Sequence, residues 1–439
     1  VVVFGAFAAH LDGSLVNIGL DVIGRDLRAG LGAVQWVASG YLLALAVSLP
    51  LTNWLSRRVG AGRLWLVALA AFTVASVLCA AAPTVELLIG LRVVQGLAGG
   101  LLLPAGQTIL GRAVGPARLG RVMATTGIVV SLAPALGPVI GGLMLHSLSW
   151  RWLFAINLPI GLIGLVLGLR YVPRGEPEPP RRLDWPGLLL ISAGLPLIVY
   201  GLTEVDGGWP LLLAGAVLLV SFVILALRRK HPLLDLRLYR NRVYAAASLA
   251  SAATGLLMFG TALLFPLYFQ IAYHDGVLET GLRLFTLGGG TAACLPLVGR
   301  LIDRYGGGAV SLFGCGCVLV VSLPFAFLGT ALNPLAVLVL LVLLGGSLAF
   351  AAVPTSTAAY KTVRSDQLPD ATTQVNIVMR IGGALGAALF AVTLARGLAG
   401  GADAAFRGAF TVMAVAAAVA VASAFWVWSE LRRPQQVEV

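Results

Sequence analysis

The feature that most limits what this chain can fold into is a series of fourteen apolar runs, separated by short polar breaks. They fall at 2–24, 35–55, 64–82, 85–108, 122–146, 153–171, 184–203, 210–228, 243–272, 281–302, 309–331, 335–359, 372–397 and 408–430. A run of roughly 20 apolar residues carries an α-helix across a bilayer core of about 30 Å. In lipid every backbone N–H and C=O needs a partner, and a helix supplies it within the segment. A membrane-spanning barrel would alternate polar and apolar residues, and these runs do not. Composition agrees: 11% of residues are charged, against roughly 25% in a soluble domain. The expected fold class is therefore all-α and polytopic, with fourteen spans.

A formal net charge of +12 would suit a nucleic-acid surface, but the placement of the charges points to topology. If the chain starts in the cytoplasm, twenty-two of its thirty Lys and Arg fall in cytoplasmic segments. Six fall outside, and two, Arg92 and Arg380, fall within spans. The positive-inside rule then puts both termini in the cytoplasm of a multi-pass plasma-membrane protein. Its surroundings are the lipid bilayer, with no nucleic-acid partner. All nine Trp lie near run ends, as an interfacial aromatic belt requires. Cys79, Cys294, Cys315 and Cys317 sit inside apolar runs and read as small buried residues rather than a disulfide or metal site. The first run is followed by further spans, so no cleavable leader is expected.

A repeat divides the chain. Asn53-Trp-Leu-Ser-Arg-Arg-Val-Gly60 closes the second run and Gly299-Arg-Leu-Ile-Asp-Arg-Tyr-Gly306 closes the tenth. Both are short basic turns ending in Gly. If they are equivalent, residues 1–171 form one six-helix bundle and 243–439 a second. Residues 172–242 then contribute two inserted helices with basic cytoplasmic loops. Parallel halves of this kind are a transporter plan with the substrate site near the midplane between them.

Several motifs follow one another in a set order: Leu11-Asp12-Gly13-Ser14-Leu15-Val16-Asn17, Leu91-Arg92-Val93-Val94-Gln95-Gly96, and Ala133-Pro134-Ala135-Leu136-Gly137-Pro138-Val139-Ile140-Gly141-Gly142. Trp150–Gly161, Pro232–Tyr239 and Arg380–Gly386 continue the series. Through them the chain resembles the fourteen-helix drug:proton antiporters of the major facilitator superfamily, over essentially its whole length. The resemblance implies a major facilitator fold of two six-helix bundles plus two extra transmembrane helices. It also implies proton-coupled export of small amphipathic compounds (drugs, antibiotics or related metabolites) by alternating access. Protons are the coupling ion, no other cofactor is expected, and the chain is expected to act as a monomer. The sequence departs from the family in three places: Arg57 stands where Asp is usual, Asn53 where Gly is usual, and Asp21 where Pro is usual.

Read for their own chemistry, these residues divide by role. Asp12 lies about ten residues into a span, where a charged carboxylate costs roughly 2.5–3.5 kcal/mol on insertion scales. It must be protonated, paired or facing a wet cavity. Arg92 is the candidate partner, so the pair Asp12 and Arg92 is assigned to proton coupling. A fixed ion pair clamping two helices is the competing reading. Asn17, Tyr41, Gln95, Tyr268, Gln270, Asn376 and Arg380 are candidates for a substrate cavity; for the aromatic and amide run ending at Gln270, plain packing competes. Pro134, Gly137, Pro138, Gly141 and Gly142 suggest a bent, closely packed seam between the halves that limits proton leak. Arg57, Arg58 and Gly60, with Asp303, Arg304 and Gly306, form the two cytoplasmic loop motifs. His10 is two residues from Asp12, off its helix face, and reads as a satisfied interior histidine. Asp21 is an exposed cap or a vestibule acid, and Glu204 and Asp206 read as solvated loop.

The second half carries no interior acid, so neutral, zwitterionic or weakly acidic substrates suit it at least as well as cations. A lipid or lipid-precursor transporter on the same scaffold is the first alternative, and a uniporter or importer the second. A membrane enzyme would need clustered His, Asp or Glu, and the four histidines are scattered. No G-x-x-x-x-G-K-[ST] loop is present to hold ATP.

Overall fold

The computed structural model describes residues 1–177, 183–203, 208–230 and 232–432. Side chains at 31, 32, 116, 117, 128–131, 134, 135, 138, 199, 202, 203, 277 and 278 fall outside this description, as do Glu204 and Asp206 altogether. The described residues form helices and no strands. In order these are α1 (Val3–Asp26), α2 (Leu31–Ser48), α3 (Leu51–Val59), α4 (Ala61–Ala80), α5 (Val85–Ser147), α6 (Trp152–Ala155), α7 (Asn157–Tyr171), α8 (Trp185–Thr203), α9 (Trp209–Arg228), α10 (Arg242–Ala272), α11 (Val277–Tyr305), α12 (Gly307–Leu328), α13 (Pro334–Lys361), α14 (Leu368–Gly397) and α15 (Ala402–Arg432).

Every apolar run of the sequence is helical, and a count by length and hydropathy among the described residues reaches twelve of the fourteen expected spans. Eleven described helices are long and apolar enough to cross a membrane, or twelve if the bent pair α2–α3 is one span. That pair bends by 57° at Pro50, whose ring removes a backbone donor. Two runs fall outside this set. Run 122–146 is the second arm of α5, which continues from the first across Gly115 (φ 66°, ψ −180°). Run 184–203 is α8, whose apolar described stretch is the short Trp185–Ile198.

Two helix sets carry separate cores. Leu11, Val16, Val37, Cys79, Leu88 and Phe154 pack together in α1–α7; Leu257, Phe265, Phe325, Leu341, Phe390 and Phe410 do so in α10–α15. The inserted helices α8 and α9 join the first set: Leu188, Ile191, Phe222 and Ala226 enter the core around Trp65, Leu69 and Phe72. Close helix approach in the second set is set by glycine. A Cβ at Gly382 or Gly386 of α14 would meet the carbonyls of Ala252 and Leu256 in α10, the small-residue packing that lets membrane helices touch backbone to backbone.

The two basic turns prove geometrically alike. Gly60 (φ 87°, ψ 137°) closes α3 and Gly306 (φ 84°, ψ 157°) closes α11, and both conformations favour glycine. The Trp belt needs correction. Trp36, Trp152, Trp185, Trp209 and Trp426 are exposed, but Trp65 and Trp150 are core residues at 0% and 2% exposure. Trp65 fills the space that Gly5 and Gly168 leave open beside it.

Candidate functional site

Asp12 sits nine residues into α1, roughly 14 Å along a helix of about 36 Å at 1.5 Å per residue. Its carboxylate is wholly enclosed, and three side chains donate to it. Arg92 Nη1 forms a short ion pair with Oδ2. Gln95 Nε2 donates to Oδ1 at 2.9 Å and Asn157 Nδ2 to the same oxygen at 2.7 Å. Ser76 Oγ accepts from both amides, at 2.5 Å from Gln95 and 3.2 Å from Asn157. The Arg92 guanidinium also donates to Gln95 Oε1 at 2.7 Å and, through Nε, to the Val37 carbonyl at 3.1 Å. It lies 4.1 Å from the centroid of the Tyr41 ring, whose hydroxyl donates to the Ala9 carbonyl at 2.9 Å.

The cluster thus draws on α1, α2, α4, α5 and α7, all in the first helix set. Arg92 and Gln95 meet Asp12 together because positions three apart share a helix face. The chemical consequence follows from the donor inventory. An ionised carboxylate only accepts, and here it is offered donors only; a protonated one carries a hydrogen of its own. Adding a proton to Asp12 therefore sets a donor against donors and weakens the hold on Arg92.

A second polar group lies at the end of the molecule that carries the arginine-rich turns. Asn53 Nδ2 donates to Asp370 Oδ1 at 2.7 Å, and Arg57 Nη2 donates to Asp370 Oδ2 at 2.9 Å and to the Asp366 carbonyl at 2.6 Å. The Asp235 backbone N–H adds a 3.2 Å bond to Asp370. Deeper in, Thr108 meets Thr372 at 3.0 Å, and Asn376 donates to Gln107 at 2.7 Å. At this end hydrogen bonds and an ion pair join α1–α7 to α10–α15. Arg57, which stands where the family usually has Asp, meets its acid on α14.

The other expected positions separate. Asn17 is exposed on α1 and Gln270 on α10. Tyr41 and Gln95 belong to the Asp12 cluster, and Asn376 to the inter-set contact. Tyr268 lies apart from all of them. It is fully buried, edge-on to Phe325, Phe406 and Phe410, and its hydroxyl donates to the Gly329 carbonyl at 2.8 Å. Packing explains that run. Arg380 is half-buried on α14. The Gly/Pro segment is helical throughout, and the side chains of Pro134 and Pro138 are outside the description. Gly137 and Gly141 face α1, where a Cβ would meet Ser14 and Leu15. At these two positions the seam runs within the first set rather than between the two; a Cβ at Gly142 would meet open space. The α5 contact to the second set is made nearer the basic end, by Gly120 against Ile302 and Asp303 and by Gly127 against Leu295 and Val353.

Arg58 stacks on Trp54 and Arg304 on Tyr305, at 4.9 and 5.2 Å. Asp303 is 4.0 Å from Lys361. His10 Nδ1 donates to the Ala6 carbonyl at 2.8 Å, a satisfied histidine. Asp21 pairs with Arg25 at an exposed helix end. Ser76, Asn157, Gln107 and Asp370 are the members that motif reading did not assign.

Comparison with known proteins places this geometry. The family model described as Major Facilitator Superfamily matches residues 2–387. The chain is 35% identical over 406 residues to the multidrug resistance protein B homolog of Mycobacterium tuberculosis, covering 90% of this chain and 75% of that one. It is 32% identical over 360 residues to the tetracenomycin C resistance and export protein of Streptomyces glaucescens, covering 76% and 67%. Among solved structures, the proton:xylose symporter XylE superposes with a TM-score of 0.70 at 12% identity, covering 98% of this chain and 94% of that one.

Proposed function

This chain belongs to the Major Facilitator Superfamily, a membrane transporter rather than an enzyme, and from that premise we propose that it is a proton-coupled antiporter exporting small amphipathic compounds. The relatives named for multidrug resistance and for antibiotic export favour export of such compounds. The observation that carries proton coupling is the Asp12 carboxylate, enclosed at mid-depth and surrounded by donors alone. Protonation of Asp12 loosens Arg92 and lets α1 and α5 part; deprotonation re-forms the cluster. A proton moving inward draws about 2.3 kcal/mol per 100 mV of membrane potential, and the substrate moves the other way.

In this reading the chain crosses the plasma membrane fourteen times with both termini in the cytoplasm. Residues 1–171 and 243–439 are the rocking halves, 172–242 the inserted pair, and the working unit is a monomer. The arginine-rich end is the cytoplasmic gate, here closed by Arg57, Asn53 and Asp370. Substrate-triggered proton movement is the test, followed with a pH-sensitive dye in proteoliposomes and a panel of cationic, neutral and acidic amphiphiles. A proton signal that Asp12→Asn removes is expected. Undiminished signal in that variant, or none in the folded wild type, would overturn the proposal.

A further inference from the structure

Arg380 is the intramembrane cation that the Asp12 cluster does not neutralise. It lies four residues along α14 from Asn376, which bonds across the sets to Gln107. Ile377 and Ile381, on the same side of α14, pack into the core of the first helix set. Arg380 therefore stands one turn beyond the innermost hydrogen bond of the closed end, on the face of α14 turned toward α1–α5. His10 of α1 and Tyr41 of α2 both lie within its electrostatic reach. It makes no hydrogen bond or ion pair with any described residue.

Among the described residues no carboxylate is placed to serve it. The described acids of the second set are Asp275, Glu279, Asp303, Asp366, Asp370, Asp403 and Glu430, each at a helix end or in a connection. Asp12 is occupied by Arg92, and Asp21 by Arg25 at the far end of α1. His10 spends its Nδ1 hydrogen on Ala6 and offers no negative charge. An unneutralised arginine at this depth is costly, and intramembrane charges of this kind mark pathways and ligand sites. A guanidinium left with its donors free is shaped for one partner above others, the planar two-oxygen edge of a carboxylate or the like edge of a sulfonate.

We propose that Arg380 is the recognition group for an organic monoanion: the transported amphiphile carries a carboxylate or sulfonate that docks on Arg380, on the face of α14 turned toward the first helix set. This assignment rests on the export reading for the existence of a transported compound, but it is separable from proton coupling.

The test uses three probes with one ring system and three charges: 9-anthracenecarboxylate, 9-anthracenemethanol and 9-(aminomethyl)anthracene. Binding is followed by probe anisotropy to the full chain in nanodiscs of phosphatidylcholine alone, so that no anionic lipid competes. The carboxylate is expected to bind wild type at least about tenfold tighter than the alcohol, the size of one charge-assisted contact. Arg380→Gln should bring that ratio near one, and Arg380→Lys should hold it between. The carboxylate should also raise the thermal midpoint of wild type more than that of Arg380→Gln, a readout that stands if the variant is less stable. Equal binding of the three probes by wild type, failure of the carboxylate to bind, or an unchanged ratio in Arg380→Gln would overturn the assignment. Imposing a pH gradient on the same protein in liposomes separates the two proposals. Charge preference without gradient-driven movement removes proton antiport and leaves the anion site. Gradient-driven movement without charge preference does the reverse.

Discussion

Arg92 and Arg380 are the two arginines set inside spans, one in each helix set, and the protein surrounds them differently. Arg92 is 1% exposed, paired with Asp12, bonded to Gln95 and Val37, and faced by the Tyr41 ring. Arg380 is half-buried and has no such shell. The first is a charge whose partner was supplied by the chain itself, which suits a group that must hold or release a proton. The second is a charge whose partner comes from elsewhere. Depth in the membrane alone does not distinguish these cases; the inventory of nearby donors and acceptors does.

The largest effect should come from breaking the shell of Arg92. Arg92→Gln leaves Asp12 enclosed without its cation, and removing one partner of a buried pair costs about 3–5 kcal/mol. Arg380→Gln removes an unpaired charge and should be neutral or stabilising. Thermal unfolding of both variants in one detergent measures this directly, and equal losses would break the comparison. A double variant, Asp12→Asn with Arg92→Gln, removes both charges and should regain at least half of the single-variant loss. Contacting residues couple by about 0.5–3 kcal/mol, so strict additivity would show that the pair does not act as one unit.

A smaller effect separates the two basic turns. Arg57 meets Asp370 at 2.9 Å with 14% and 7% of the side chains exposed, whereas Lys361 and Asp303 stand 4.0 Å apart at 27% and 18%. Asp370→Asn should therefore weaken the closed end by about 1–3 kcal/mol, the range for hydrogen bonds to charged groups. Asp303→Asn should do much less. Each is read as the labelling rate of an Asn376→Cys reporter by a membrane-impermeant maleimide. A several-fold faster rate is expected with Asp370→Asn only; the same rate in both would remove the distinction between the turns.

The helices and the Asp12–Arg92 pair were legible in the sequence because both rest on large energies. A long apolar run has few alternatives to a spanning helix, and a charge in its middle needs a stated partner. Ser76 and Asn157 were not legible, since neutral polar side chains are tolerated in spans and carry no comparable signal. Asp370 was missed for a local reason: the apolar run begins at 372, but the helix starts at Leu368 and brings the acid inside its first turn. Hydropathy marks where lipid-facing residues begin, whereas the helix extends into the polar contact between the sets. Tyr268 shows the opposite error, because an aromatic next to an amide looks the same in sequence whether it lines a cavity or fills a core.

The smallest effect expected, that of Tyr41→Phe, tests how the Arg92 shell is built. Tyr41 contributes a ring face at 4.1 Å and a hydroxyl that donates to the Ala9 carbonyl at 2.9 Å. Tyr41→Phe keeps the ring and removes the hydroxyl, a loss of about 1 kcal/mol for one buried hydrogen bond. Tyr41→Leu also removes the ring, whose attraction for a desolvated cation is worth about 2 kcal/mol more. The two variants should therefore rank in that order in thermal midpoint. In an Arg92→Gln background the difference between them should shrink, because the ring then faces no cation. A difference that persists there would assign the ring to plain packing and leave Asp12, Gln95 and Val37 as the groups that hold Arg92.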